Sequence, residues 1–154
     1  MTFMNFQGPT FTMQVPTDWF ITSSPQFQAI FTSPKDNGSE VLANLIISIR
    51  PVQDGVTANA VAREAKDTQQ QEYPDYEVLE ETEDANAPVP HFRRLYRWHN
   101  VEKESHILQC QAYYVYQNRL YTLTATQPSH NAEIGKLDKT LIKMMNSFNL
   151  ELGD

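Results

Sequence analysis

Apolar and polar residues alternate clearly over residues 10–16, TFTMQVP. Phe11, Met13 and Val15 take one side, and Thr10, Thr12 and Gln14 the other. A period of two predicts a half-buried strand, stopped at Pro16. Trp19, in the turn PTDWF, is expected to fold back as a core anchor. QFQAIFTSP predicts a second strand on Phe27, Ala29 and Phe31. Asp36, Asn37 and Gly38 then supply turn chemistry. EVLANLIISIRP is a nearly continuous apolar run ended by Pro51, which predicts an interior strand covered on much of both faces.

The period then changes. In DGVTANAVAREAKDTQQQEYP, Ala58, Val61, Ala62 and Ala65 form a thin apolar stripe at helical spacing. Thr57 is a suitable N-cap and Pro74 closes the segment. YEVLEETEDANAPVP begins as a strand and is expected to become an acidic loop, with Glu80, Glu81, Glu83 and Asp84 solvating it. HFRRLYRWHN alternates Phe92, Arg94, Tyr96 and Trp98 against His91, Arg93, Leu95 and Arg97. ILQCQAYYVYQNRLYTLTAT reads as two strands joined by a tight turn. The last segment opens at Pro128 and Ser129. Ile134, Leu137, Leu141, Met144, Met145 and Phe148 then mark one face of an amphipathic helix. Lys136, Asp138, Lys139 and Lys143 fall on its other face, and Gly135 weakens its first turn. Strands, a helix, a run of strands and a final helix imply an α+β fold: an antiparallel β-sheet with two segregated helices, in a sandwich.

The hairpin predicts two chemically distinct sheet faces. Leu108, Cys110, Ala112 and Tyr114, with Tyr121, Leu123 and Ala125, form a face of mostly small apolar groups, assigned to the helices. Gln109, Gln111, Tyr113, Thr122 and Thr124 form the other. Tyr96, Trp98, Asn44, Ile46 and Ser48 continue it, depending on register. A merely solvated face more often carries Lys and Glu. Uncharged hydrogen-bonding groups set among apolar ones suit a protein partner, although a plain polar face remains the alternative.

Composition narrows the field. The 154 residues fit a single domain, residues 1–154, with an ordinary 40% hydrophobic content. A net charge of −7 argues against a nucleic-acid partner and against docking on an anionic membrane. The N-terminus has no basic start and no long apolar run, so it is not read as a signal peptide. With Met1 as the start, a cytoplasmic protein is expected. The lone Cys110 excludes an internal disulfide and reads as a buried thiol.

Catalytic motifs are missing from the sequence. The five glycines make no phosphate-binding loop, and there is no Gly-x-Ser-x-Gly, Cys-x-x-Cys or His-Glu-x-x-His. His91, His99 and His106 lie in or beside neighbouring strands and His130 lies further on. They read as solvated edge or turn histidines, against a minor alternative of a metal or acid–base cluster. The expectation is a non-enzymatic protein without cofactor or metal.

FTMQVPTDWF near the start, and RLYTLTATQPS followed by a helix ending MMNSFNL, resemble the DcrB-like and PsbP-like family over nearly the whole chain. The family's fold is an α+β sandwich shared with a Ran-binding nuclear-import factor. Within it, YRWHNVEKESHILQCQAYYVYQNRLYTLTAT looks most like the EagR chaperones of type VI secretion. The resemblance implies a leaderless cytosolic protein, with room for a homodimer, that holds apolar helical segments of an effector on a sheet face. It implies that Gln109 and Gln111 hydrogen-bond a captured helix, with Ile46, Tyr113 and Trp98 giving apolar contact. The alternatives are an accessory or stress-related protein of the DcrB or PsbP type docking to a membrane complex and, less favoured, a small histidine-dependent enzyme.

Overall fold

A computed structural model describes residues 1–34, 43–102, 104–128 and 136–153. The chain runs β1 (Phe3–Gln7), β2 (Phe11–Pro16), β3 (Phe20–Thr22), β4 (Ala29–Thr32), β5 (Asn44–Pro51), α1 (Ala58–Glu72), β6 (Glu77–Asp84), β7 (His91–Asn100), β8 (Ser105–Tyr116), β9 (Arg119–Pro128), α2 (Lys139–Ser147) and β10 (Asn149–Leu150). Seven strands form an antiparallel sheet in the order β3-β4-β5-β9-β8-β7-β6, and a smaller sheet has the order β1-β2-β10. The α+β sandwich expected from the sequence is the observed class.

The principal core lies between the large sheet and a second layer made of the small sheet and α2. Phe11, Met13 and Val15 of β2 enter it as the alternation predicts, beside Leu141, Met144, Met145 and Phe148. Across from them lie Phe31, Leu45, Ile47, Ala112, Leu123 and Ala125 of the large sheet. Trp19 is buried against the same cluster. The turn between β8 and β9 has Gln117 and Asn118 both at positive φ, 50° and 59°. Two central residues of that kind match the right-handed twist of the flanking strands and fix the register of the hairpin.

Several expectations need correction. Glu80, Glu81, Glu83 and Asp84 form no loop: they belong to β6, an edge strand paired with the arginine-bearing β7. Glu77 meets Arg97 at 2.6 Å and Glu81 meets Arg94 at 3.3 Å, so cross-strand charge pairing offsets the low strand propensity of glutamate. The final helix is shorter than its apolar pattern. Asp138 caps it by accepting from Thr140 N at 2.8 Å, and residues 136–138 precede it without helical structure. Pro128 ends β9 rather than opening a helix. Ser129, Ile134 and Gly135 lie outside the described residues, as do Asp36, Asn37 and Gly38. Phe27 precedes β4 rather than lying within it, and β1, β3 and β10 were not anticipated.

The helix α1 starts as expected: Ala60 N donates to Thr57 Oγ1 at 3.1 Å. It does not, however, lie on the small apolar face. It packs on the opposite face, where Ala58 and Ala62 meet Phe92, Tyr113 and Leu120. That placement determines what remains of the candidate site.

Candidate functional site: a half-covered sheet face

Residues directly opposite in an antiparallel ladder point to the same side. Tyr96 opposes Gln109, Arg94 opposes Gln111 and Phe92 opposes Tyr113. Gln111 opposes Thr124 and Tyr113 opposes Thr122. Thr124 opposes Ile46 and Thr122 opposes Ser48. With Trp98 two residues beyond Tyr96, all nine predicted residues share one face. Alternation along the hairpin groups Gln109, Gln111, Tyr113, Thr122 and Thr124, and the register adds Tyr96, Trp98, Ile46 and Ser48.

Coverage divides that face. Tyr96 and Tyr113 lie beneath α1, only 1% and 3% exposed. They are therefore no surface for a partner, which corrects the expectation for both. Trp98 is half-buried, stacked on Tyr73 with ring centroids 4.5 Å apart. Ile46, Ser48, Thr122, Thr124 and Gln109 remain half-exposed. The register adds Ile30 beside Ile46, and Phe20 and Thr22 on β3. Phe20 is 63% exposed.

Arg94 and Gln69 anchor α1. Arg94, 2% exposed, donates from Nη1 to Ala62 O at 2.7 Å, and its guanidinium lies 4.9 Å from the centre of the Phe92 ring. Gln69 donates to Gln111 Oε1 at 2.8 Å and accepts from the Tyr76 hydroxyl at 2.9 Å. Gln111 Oε1 also accepts from the Tyr113 hydroxyl, and Gln111 Nε2 donates to Thr124 Oγ1 at 3.0 Å. A parallel series runs from Trp98 Nε1 to Gln109 Oε1 at 3.1 Å and on from Gln109 Nε2 to Thr126 Oγ1 at 3.0 Å. Both glutamines thus spend their carbonyl oxygens, and one N–H each, inside the protein. They orient Thr124 and Thr126 rather than standing free to bond a captured helix. Gln69 was overlooked in the sequence. It continues the stripe Ala58, Ala62, Ala65 at helical spacing, and that periodicity was the available signal.

Between α1 and the open strands runs a groove of about 340 Å³. Ala65, Thr68 and Glu72 line it on the helix side, and Arg50, Gln111 and Thr122 on the sheet side. The groove gives the open half-face a wall.

The histidines do not converge. His99 and His106 face each other across β7 and β8 with ring centroids 5.2 Å apart. His91 stands near the other end of β7, beside Tyr114. His130 lies outside the described residues. Among the described residues, no three His, Cys, Asp or Glu side chains are placed to hold a metal ion. No helix there is long and apolar enough to cross a membrane.

Burial governs the ionisation of the covered half. It raises the Tyr96 and Tyr113 hydroxyls far above their ordinary 10.0, with Arg94 opposing the shift at Tyr113. It also pushes the Cys110 thiol from 9.0 up to about 11. Unfolded, these groups lose their protons near their ordinary values, while the folded chain retains them. Their contribution to stability is therefore intact below about pH 9 and falls as pH rises toward the folded values. The thermal midpoint is expected to decline across this alkaline range, with ionisation of Tyr96 and Tyr113 appearing only as the fold is lost. The full absorbance of all seven tyrosinates from a still-folded protein would contradict the burial.

A sheet covered on one face by a small sheet and helix, and on half of the other by an alanine-striped helix, defines an α+β sandwich with one open half-face. The chain belongs to the DcrB family, whose sequence pattern matches residues 12–145. No curated protein matches it. Among solved structures, it is similar to the Ran-binding protein Mog1p of Saccharomyces cerevisiae, with a TM-score of 0.69 and 14% identity over 97% of this chain and 96% of that one. It is also similar to the cyanobacterial PsbP (CyanoP) of Synechocystis, with a TM-score of 0.66 and 16% identity over 97% and 92%. LpqN of Mycobacterium tuberculosis, described as involved in cell envelope biogenesis, gives 0.67 and 10% over 98% and 91%. At these identities the likeness is one of fold.

Proposed function

We propose that this chain is a non-enzymatic, cytoplasmic chaperone or adaptor. It holds an apolar helical segment of a protein partner, of the kind carried by a type VI secretion effector, against its open half-face. The observation that carries this reading is the mixture of groups left uncovered by α1. Phe20, Ile30 and Ile46 offer apolar contact among Ser48, Thr122 and Thr124. Thr122 and Ser48 make no side-chain hydrogen bond among the described residues, so their hydroxyls are available to polar groups along a bound segment. Apolar cover is what a segment of ~20 apolar residues needs while it is held in water. That Mog1p is a Ran-binding protein supports protein binding as a use of this fold. Gln109 and Gln111 act from behind the face by fixing Thr126 and Thr124.

The test is co-purification from the source organism at native expression, repeated with Ile46→Lys and Thr124→Lys. Both side chains are half-exposed, so folding is expected to survive. Partner recovery should fall by about thirtyfold or more if they lie at the centre of the contact, which corresponds to ~2 kcal/mol. Undiminished capture by both variants would remove the half-face from the account.

A second reading is an accessory protein docking to a membrane complex. The fold likeness to LpqN, with its cell-envelope description, favours it. Recovery of a membrane complex in place of a single partner with apolar segments would select it.

A further inference from the structure

The opposite side of the large sheet carries a second concave site, unrelated to the half-face. Where the start of α2 meets β6, β7 and β8, a cleft of about 450 Å³ opens, a volume in the range of small-molecule sites. Leu95 and Cys110 are direct cross-strand partners and form its floor. Leu137 and Ile142 form an aliphatic wall, and Ile142 is 39% exposed. Among the described residues no aromatic ring lines the cleft, so nothing there favours a flat ligand by stacking. The buried Cys110 thiol stays neutral and behaves as a small apolar group.

The charged rim is unlike the rest of this acidic chain. Among the described residues, Arg93, Lys136 and Lys139 line the cleft against one carboxylate, that of Glu80. Lys136 and Lys139 are exposed and have no ion pair among the described residues. Arg93 donates from Nη1 to Asn146 Oδ1 at 2.8 Å, which ties its guanidinium to α2. Three cations around an aliphatic floor, in a protein of net charge −7, form a local complement to an anion with an apolar body.

We propose that this cleft binds a monoanionic amphiphile, a medium-chain alkyl carboxylate, with its chain on Leu95, Leu137 and Ile142 and its head between Arg93, Lys136 and Lys139. One carboxylate matches the rim better than a dianion, because Glu80 sits among the cations. The site goes beyond the partner-binding reading and lies on the other sheet face, so either can fail alone.

The test is calorimetric titration of the full chain with octanoate, decanoate and laurate below their micellar concentrations, with decylamine and decanol as controls. Affinity should rise about tenfold for every two methylenes added, since each buried methylene contributes ~0.8 kcal/mol, until the cleft is full. Decylamine should not bind. The exposed double variant Lys136→Glu with Lys139→Glu should weaken decanoate tenfold or more and decanol much less. No uptake of any carboxylate would overturn the proposal. So would equal binding of decylamine, or loss on Ile46→Lys in place of the lysine variant.

Discussion

Tyr113→Glu is expected to destabilise the protein by at least about 4 kcal/mol, and so to remove much of the 5–15 kcal/mol typical of a folded domain. Tyr113 is 3% exposed and packs among Ala58, Ala62, Phe92 and Leu120. The substitution loses the buried ring, worth roughly 3–5 kcal/mol by analogy with other aromatic truncations. It also buries a carboxyl group beside Arg94, and burying a charge costs several kcal/mol more unless it is well paired. The control is Tyr113→Phe. It keeps the ring and loses only the hydroxyl donated to Gln111, so about 1 kcal/mol is expected. Urea unfolding of both variants reads the difference. A Tyr113→Glu midpoint equal to that of the parent would mean that α1 is not seated on this residue. The same numbers show why Tyr113 cannot test partner binding: its charged variant fails before any partner arrives.

Arg94→Ala should cost about 3 kcal/mol, whereas Arg94→Met should stay within about 1 kcal/mol of the parent. Arg94 is a buried charge with imperfect company. Its Nε atom has no partner among the described residues, and its carboxylate partner Glu81 is itself 36% exposed. Water screens that pair, so the ion pair contributes little by itself. The carbonyl of Ala62 lies inside α1 and keeps its helical acceptor role when Arg94 is gone. What alanine removes is the long stem that fills the space between α1 and Phe92, and methionine restores much of it. Denaturant titrations separate the cases. Equal losses for Ala and Met would assign the anchoring of α1 to charge rather than to packing.

Much of this architecture is legible in the sequence because periodicity is local. Phe11, Met13 and Val15 face the core as their spacing requires, and the nine candidate residues do share a face. What periodicity cannot report is which element comes to lie over a face. The alanines of the α1 stripe are small enough to let the helix approach a sheet closely, on whichever face it lies. Its contact with Arg94 and the Gln69–Gln111 bond, which hold it on the polar side, are long-range. The acidic β6 looked like a loop because strand propensity is a property of the segment, while its pairing with Arg94 and Arg97 is not. The final helix looked too long because Leu137 continues the apolar rhythm into residues that are not helical. Asp138 just before Lys139 carried the true start signal. β1, with Phe3 and Met4 adjacent, lacks clean alternation and has no such marker.

The large sheet ends on one side at β6, with Glu77, Glu80, Glu81, Glu83 and Asp84 along its length, and on the other at the three-residue β3. A second chain adding itself to β6 in antiparallel fashion would bring like carboxylates opposite one another, a repulsive arrangement. The short β3 offers little length for continued pairing. Crowded at high concentration, copies of this protein therefore meet charge at one end of the sheet and almost no template at the other. That protects a half-exposed, threonine-rich sheet from growing into fibrils.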